Sequence, residues 1–298
     1  LFAKENSKSN STIINKDELK EFVHKAKVVT CGLCNNNCKL TVNTFNNNRK
    51  FIGGNRCEKP IATKSKMPKY NMFDYKLDLL EKYKPVEGRR GTIGIPMGLN
   101  MYELLPFWHT LFTTLKFEVV TSPTSSRELY LKGQHTIPSD TVCFPAKLMH
   151  GHIEYLLDQG VDTIFYPCLT YNINEEKGDN HFNCPVVAYY PEVIKANVAA
   201  VDKVRFIYDY YGIHRKKDFA KAIYKSLEEN FGGISFAEVK KAVENAYEEY
   251  NNYMRKLKEM GKNYIELARA NDMQIIVLAG RPYHIDPEIN HGIAKLIA

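Results

Sequence analysis

The stretch Thr92-Ile-Gly-Ile95-Pro-Met-Gly-Leu-Asn100-Met-Tyr-Glu-Leu-Leu-Pro106-Phe-Trp-His-Thr-Leu-Phe-Thr-Thr-Leu115-Lys-Phe-Glu-Val-Val120 decides the fold. Thr92–Ile95 reads as a strand, and Pro96 with Gly98 makes the turn. Met101–Leu115 reads as a helix with Pro106 in or near its first turn, where a missing N–H does least harm. Phe117–Val120 is the next strand. The alternation continues with a helix near Ser125 to Leu131, a helix over Pro145–Asp158 closed by Gly160, and a strand over Ile164–Tyr166. Val186–Tyr189 reads as a further strand leading into Pro191–Asn197. Strands alternating with helices of this length predict an α/β fold, a Rossmann-like and mostly parallel sheet domain over residues 70–232, with a ligand crevice outside the carboxyl ends of the strands.

Downstream the period changes. Apolar and aromatic residues at 236, 239, 243, 246, 250 and 253 continue in the same spacing to 267, which predicts a long helix within residues 233–271. It is expected to join two α/β units. The second begins in residues 272–298 with a strand over Gln274–Ala279, then a loop and a helix opened by Asp286 as N-cap and Pro287 as N1. Leu1 at the start and a helix cut short at Ala298 are read as the ends of a fragment.

Upstream, residues 1–27 form a linker, rich in Asn, Ser and Lys, with a short helix from Lys16 to His24 capped by Asn15. Residues 28–69 hold Cys31-Gly-Leu-Cys34-Asn-Asn-Asn-Cys38, an alternating segment Lys39–Phe45, a turn at Asn46–Asn48 and a return strand from Lys50 reaching Cys57. The hairpin brings Cys57 back towards Cys31, Cys34 and Cys38, a four-thiol set suited to zinc or to an iron-sulfur cluster. A unit of about forty residues cannot bury enough apolar area to hold itself together, so a metal staple is expected.

Composition narrows the class. The chain has 298 residues, 44% hydrophobic and 25% charged, with no apolar run long enough to span a membrane and no secretory signal, so the cytoplasm is the default location. The net charge of +7 is unevenly placed: residues 1–69 carry 14 Lys/Arg against 5 Asp/Glu. A solvated surface is preferred over nucleic-acid contact as the explanation. Seven cysteines without an export signal favour reduced, metal-binding thiols over disulfides.

Three of those cysteines form a second candidate site. Cys143, Cys168 and Cys184 each have a proline within two residues: Pro145, Pro167 and Pro185. Three thiolates can anchor three irons of a cuboidal cluster and leave the fourth open. Cys143 stands at a helix N-terminus, whose partial positive charge favours a metal-bound thiolate, and Cys168 ends a strand. Cys184 reads as preceding a strand, so residues 169–183 must fold back for it to join the others. Lys147, His150 and His152 flank Cys143 as candidate catalytic groups, although His150 and His152 are two apart on a helix and cannot face the same way. Arg281, His284 and Asp286 lie on a strand-to-helix loop of the kind that holds anions, with capping as the plainer role for Asp286. No phosphate-binding glycine motif marks an ATP site.

The runs CGLCNNNC with GGNRCEK, PSDTVCFPAKLMHGHI, IFYPC, NCPVVAYYPEVIKAN and LAGRPYHIDPEINHGI resemble the middle region of large proteins related to the 2-hydroxyacyl-CoA dehydratase activators. The resemblance runs from about residue 28 to the end. It implies actin-like ATPase domains before this region and a dehydratase-like region after it, in one longer polypeptide. Dehydratase subunits of this kind hold a 4Fe-4S cluster by three cysteines between Rossmann-like domains, which implies that role for Cys143, Cys168 and Cys184. No acyl-CoA pocket signature is visible, and the Cys31/Cys34/Cys38/Cys57 knuckle is foreign to the simple dehydratases. The leading expectation is therefore an iron-sulfur module for low-potential electron transfer in an ATP-dependent activator or reductase of anaerobic metabolism. The alternatives are a dehydratase-like lyase subunit acting on an acyl-CoA, and a zinc-stabilised protein or nucleic-acid interaction module.

Overall fold

The structure, a computed structural model, describes residues 15–33, 37–57, 59–61, 70–176 and 178–298. Cys34 and the linker through residue 14 lie outside the described residues. The chain divides into two compact units, Leu1–Pro68 and Lys69–Ala298.

In the first unit, helix α1 (Lys16–Lys20) opens on the expected cap: Asn15 accepts from the Asp17 and Glu18 amides, and Glu18 reaches back to the Asn15 N–H in a capping box. It ends sooner than expected. Strands β1 (Lys25–Thr30), β2 (Lys39–Thr44) and β3 (Lys50–Gly53) form an antiparallel sheet in that order. The Asn46–Asn48 turn is a single 3-10 turn, closed by Asn48 at φ 59°. Register puts Val29, Leu40, Val42 and Ile52 on one face, yet only Cys31 and Leu40 are buried among the described residues of this unit. Among the described residues the sheet has almost no core of its own.

The second unit is built on four parallel strands: β4 (Thr92–Ile95), β5 (Glu118–Thr121), β6 (Thr163–Phe165) and β7 (Arg205–Ile207), in spatial order β5-β4-β6-β7. Helices cover both faces. On one lie α2 (Met72–Leu80), α3 (Met101–Thr114), α7 (Lys216–Phe231) and α8 (Phe236–Ala270); on the other lie α4 (Arg127–Gly133), α5 (Phe144–Asp158) and α6 (Pro185–Asn197). This follows from handedness, because β4 to β5 and β5 to β6 run in opposite directions along the sheet and right-handed crossovers then put their helices on opposite faces. Trp108 and Phe112 of α3 pack against Phe165 of β6, tilted and edge-on, with centroids 4.9 and 4.8 Å apart, and Phe107 meets Tyr247 of α8 at 4.9 Å. Each such ring contributes about 1.5–3 kcal/mol by burial. Pro106 falls in the second turn of α3 rather than the first, and the helix runs through it.

Two strand expectations are corrected. Val186–Tyr189 is not a strand but the first turns of α6: Val187, Tyr190, Pro191 and Ile194 are buried at helical spacing, and Pro185 supplies the N1 residue. Gln274–Ala279 forms no strand, because no neighbouring strand pairs with it among the described residues; Ile275, Ile276, Val277 and Leu278 are all exposed. The chain continues instead as a 3-10 turn (Pro282–Ile285) packed on α2 and α3, followed by α9 (Pro287–Asn290) and α10 (Ile293–Ile297). The long helix α8 is opened by a Ser235–Glu238 capping box and buries Val239, Ala242, Val243, Ala246, Tyr250 and Tyr253 in this unit, with Gly261 leaving it unbroken. No helix among the described residues is long and apolar enough to cross a membrane.

Candidate functional site

The strand order reverses between β4 and β6, so the loops leaving their carboxyl ends frame a crevice. Tyr166, Pro167 and Cys168 leave β6 still extended. The Tyr166 amide donates to the Ile207 carbonyl (2.9 Å), the Cys168 amide to Asp209 (3.0 Å), and the Tyr211 amide to the Cys168 carbonyl (3.1 Å). Alternation then puts Tyr166 and Cys168 on one face of this extension.

Two helices of one layer point their N-termini from that layer. Cys143 is the N-cap of α5, with φ −61° and ψ 146°, and Pro145 stands in the first turn. Cys184 is the N-cap of α6, with φ −60° and ψ 147°, and Pro185 follows it. The correction at Val186 thus removes the difficulty with Cys184, which needs no separate fold-back to reach a helix terminus. Tyr residues report how near the thiols are. Tyr166 is raised well above the ordinary tyrosine range, first by burial and then by the charges of Tyr190, Cys168 and Cys143. Tyr190 is pushed up to about 12 by burial and by Cys143. Tyr283 is raised by burial, then by Cys143 and Cys184.

The three thiols differ in exposure: Cys143 is exposed, Cys184 half-buried and Cys168 wholly buried. Burial first, and then the Glu192 carboxylate, push the Cys168 thiol up to about 11, against an opposing hydrogen bond from Tyr210. The Tyr166 hydroxyl is buried and has no hydrogen-bond partner; the side-chain amide of Asn100, at the N-cap position of α3 beyond the end of β4, has none either. Among the described residues, no three His, Cys, Asp or Glu side chains stand close enough together to bind a single metal ion.

His150 and His152 diverge, as their spacing requires. Between them Gly151 lets α4 cross α5 in backbone contact: a Cβ there would lie 2.0 Å from the Leu129 carbonyl oxygen, and one on Gly133 would lie 2.2 Å from the Gly151 nitrogen. His150 bonds Thr136 Oγ1 at 2.7 Å and the Tyr190 hydroxyl at 3.0 Å, and burial, then the nearby His135, hold it down at about 4. His152 sits between Ser122 Oγ (2.8 Å from Nδ1) and Ser125 Oγ (3.0 Å from Nε2), and burial holds it down at about 3. Both are neutral, fully buried and saturated with partners, so neither faces the crevice as a free base. Lys147 donates to the Asp140 carbonyl at 2.7 Å.

Arg281, His284 and Asp286 are engaged separately. Asp286 is turned wholly inside, where Oδ2 accepts from Tyr102 and from Ser125, each at 2.5 Å, while Oδ1 caps α9 through the Glu288 amide. Because Ser125 spends its proton on Asp286, it must accept from His152 Nε2–H, which fixes that tautomer and makes Ser122 the donor to Nδ1. His284 Nδ1 accepts the Arg281 amide at 2.8 Å within its own turn. Arg281 instead borders a cleft of about 180 Å³ that includes Lys76, Glu103, Phe73 and Tyr253. Burial lowers Lys76 and raises Glu103 there. No local sequence pattern marks the Tyr102–Asp286–Ser125–His152 chain.

In the first unit, the Cys31 amide donates to the Cys38 carbonyl at 2.8 Å, which brings these two residues opposite each other at the end of the β1–β2 hairpin. β3 ends at Gly53 opposite Thr41, so the chain to Cys57 leaves the sheet at that same end.

The family model described as CoA enzyme activase uncharacterised domain (DUF2229) matches residues 92–298. Neither a curated protein nor a solved structure matches the chain.

Proposed function

The chain belongs to the CoA enzyme activase domain family, and from that membership we propose that its α/β unit is the iron-sulfur redox module of an activator of a CoA-dependent enzyme. In this reading Cys143, Cys168 and Cys184 hold a 4Fe-4S cluster. The observation that carries it is the matched placement of Cys143 and Cys184 as N-caps of neighbouring helices, beside a third cysteine at a strand end. The residues fit the group. Helix N-termini favour anionic ligands, each thiolate of a cuboidal cluster bonds a different iron and so needs no single-ion cage, and the unpartnered Tyr166 hydroxyl leaves a donor for sulfur. A bound cluster of this type supplies a one-electron carrier with one iron open to a further ligand.

The chain's own residues shape that site. Cys168 and Tyr166 form a buried inner wall, and Cys143 leaves an exposed side. His150 orients Tyr190, and Asp286 anchors the turn that carries Tyr283. Lys147, Arg281 and His284 are retained as candidates for contact with a partner or an anionic substrate. Cys31, Cys34, Cys38 and Cys57 are proposed to hold zinc or a second cluster, a staple for a sheet that buries only Cys31 and Leu40 among its described residues. Actin-like ATPase domains and a dehydratase-like region of the same longer polypeptide are the proposed partners.

Anaerobic reconstitution with iron and sulfide tests the reading. Iron, sulfide and zinc are counted per chain in the wild type and in Cys143→Ser. Loss of about four irons in the variant supports a three-cysteine cluster. Zinc alone in both proteins refutes it.

A further inference from the structure

We propose that the Tyr166 hydroxyl is the hydrogen-bond donor to the cluster held by Cys143, Cys168 and Cys184, and that it tunes the reduction potential of that cluster. The inference rests on the three-cysteine reading and adds to it a residue that is not a ligand.

Four other tyrosine hydroxyls of this unit, buried or half-buried, have partners. Tyr102 donates to Asp286, Tyr211 to Asp209 and Tyr247 to the Ile213 carbonyl, while Tyr190 pairs with His150. Tyr166 is 0% exposed, and its hydroxyl is among the few buried side-chain atoms without a partner. A phenol in that position is costly unless something accepts its proton, and phenylalanine would fill the same space. The backbone points to the side on which an acceptor would lie. The extension of β6 is pinned to β7 through the Tyr166, Cys168 and Tyr211 amides, so residues 166 and 168 share a face. Cys143 and Tyr190 also act on the hydroxyl electrostatically, and the hydroxyl of Tyr190 is already engaged by His150. Thiolate and sulfide sulfurs accept hydrogen bonds, and such bonds stabilise the more negative, reduced state of a cluster. The neutral phenol contributes this without changing the charge of the site.

The test compares wild-type protein with Tyr166→Phe, both reconstituted anaerobically as the full chain. Iron and sulfide content are measured, and the potential is followed by redox titration of the signal that Cys143→Ser removes. The expected result is unchanged iron content with a shift to more negative potential in Tyr166→Phe. The iron-free variant is expected to melt at the same temperature as the wild type or higher, since it loses only an unpartnered polar group. An unchanged potential and spectrum at equal iron content overturns the role of Tyr166 while leaving the three-cysteine reading standing. A lower melting temperature of the iron-free variant also overturns it, by showing that the hydroxyl serves the protein's own structure. If Cys143→Ser loses no iron, the three-cysteine reading falls and takes this inference with it.

Discussion

Cys143 and Cys184 are N-caps with nearly the same backbone, φ −61° and ψ 146° against φ −60° and ψ 147°, on two helices packed in one layer. Each is followed within two residues by a proline that fixes the start of its helix. The third thiol, Cys168, differs from both in being wholly buried and pushed up to about 11.

That difference predicts an order of alkylation. In iron-free protein at pH 8, iodoacetamide should modify Cys143 first and Cys168 last, because Cys168 is both inaccessible and almost entirely protonated. Reconstituted protein should lose reactivity at all three together. Peptide mass mapping over a time course reads both results. Equal rates at Cys143 and Cys168 would contradict the buried placement.

Much of this layer was legible in the residues themselves. The strand at Thr92, the helix at Met101 and the cap at Cys143 are local patterns, set by turn residues and apolar spacing within a few positions. Val186-Val-Ala-Tyr189 misled because β-branched residues dominate so short a window; the helical stripe emerges only when Pro191 and Ile194 are included. Ile275–Leu278 has strand composition, but a strand also needs a neighbour. β7 is three residues long and carries no period. The pairing of Tyr102 with Asp286 spans 184 positions, beyond any local signal.

The Asp286 anchor should be worth a large share of the stability. Asp286→Asn puts an amide N–H₂ or a weaker acceptor opposite the Tyr102 and Ser125 hydroxyls, and hydrogen bonds to a charged group contribute about 1.5–3 kcal/mol each. Urea unfolding should show a loss of about 3 kcal/mol, with Tyr102→Phe costing less. A loss no larger than about 0.5 kcal/mol would show that the loop is not held this way.

Two glycines on helices should respond with opposite signs. Gly151→Ala drives a Cβ to within 2.0 Å of the Leu129 carbonyl, so α4 and α5 must separate, at a cost of about 1–3 kcal/mol or more. Gly261→Ala on α8 meets nothing within 4 Å and should stabilise by about 0.5–1 kcal/mol. Thermal melting of the two variants checks the pair.

Acid sensitivity should come from His150 and His152. Their folded values of about 4 and 3 lie below the ordinary 6.5, so the unfolded chain binds protons that the folded one refuses. Their contribution is whole above about pH 6.5 and is lost as pH falls towards those folded values, at about 1.4 kcal/mol per pH unit for each histidine once well below 6.5. Between pH 7 and pH 5 this amounts to about 4 kcal/mol, a window chosen to stay above most carboxylate titration. His152→Gln can still bond Ser122 and Ser125 but cannot take up a proton. Its urea midpoint should therefore fall less steeply over that window than the wild type's, even if it starts lower at pH 7. Parallel pH profiles would show that His152 does not carry the loss.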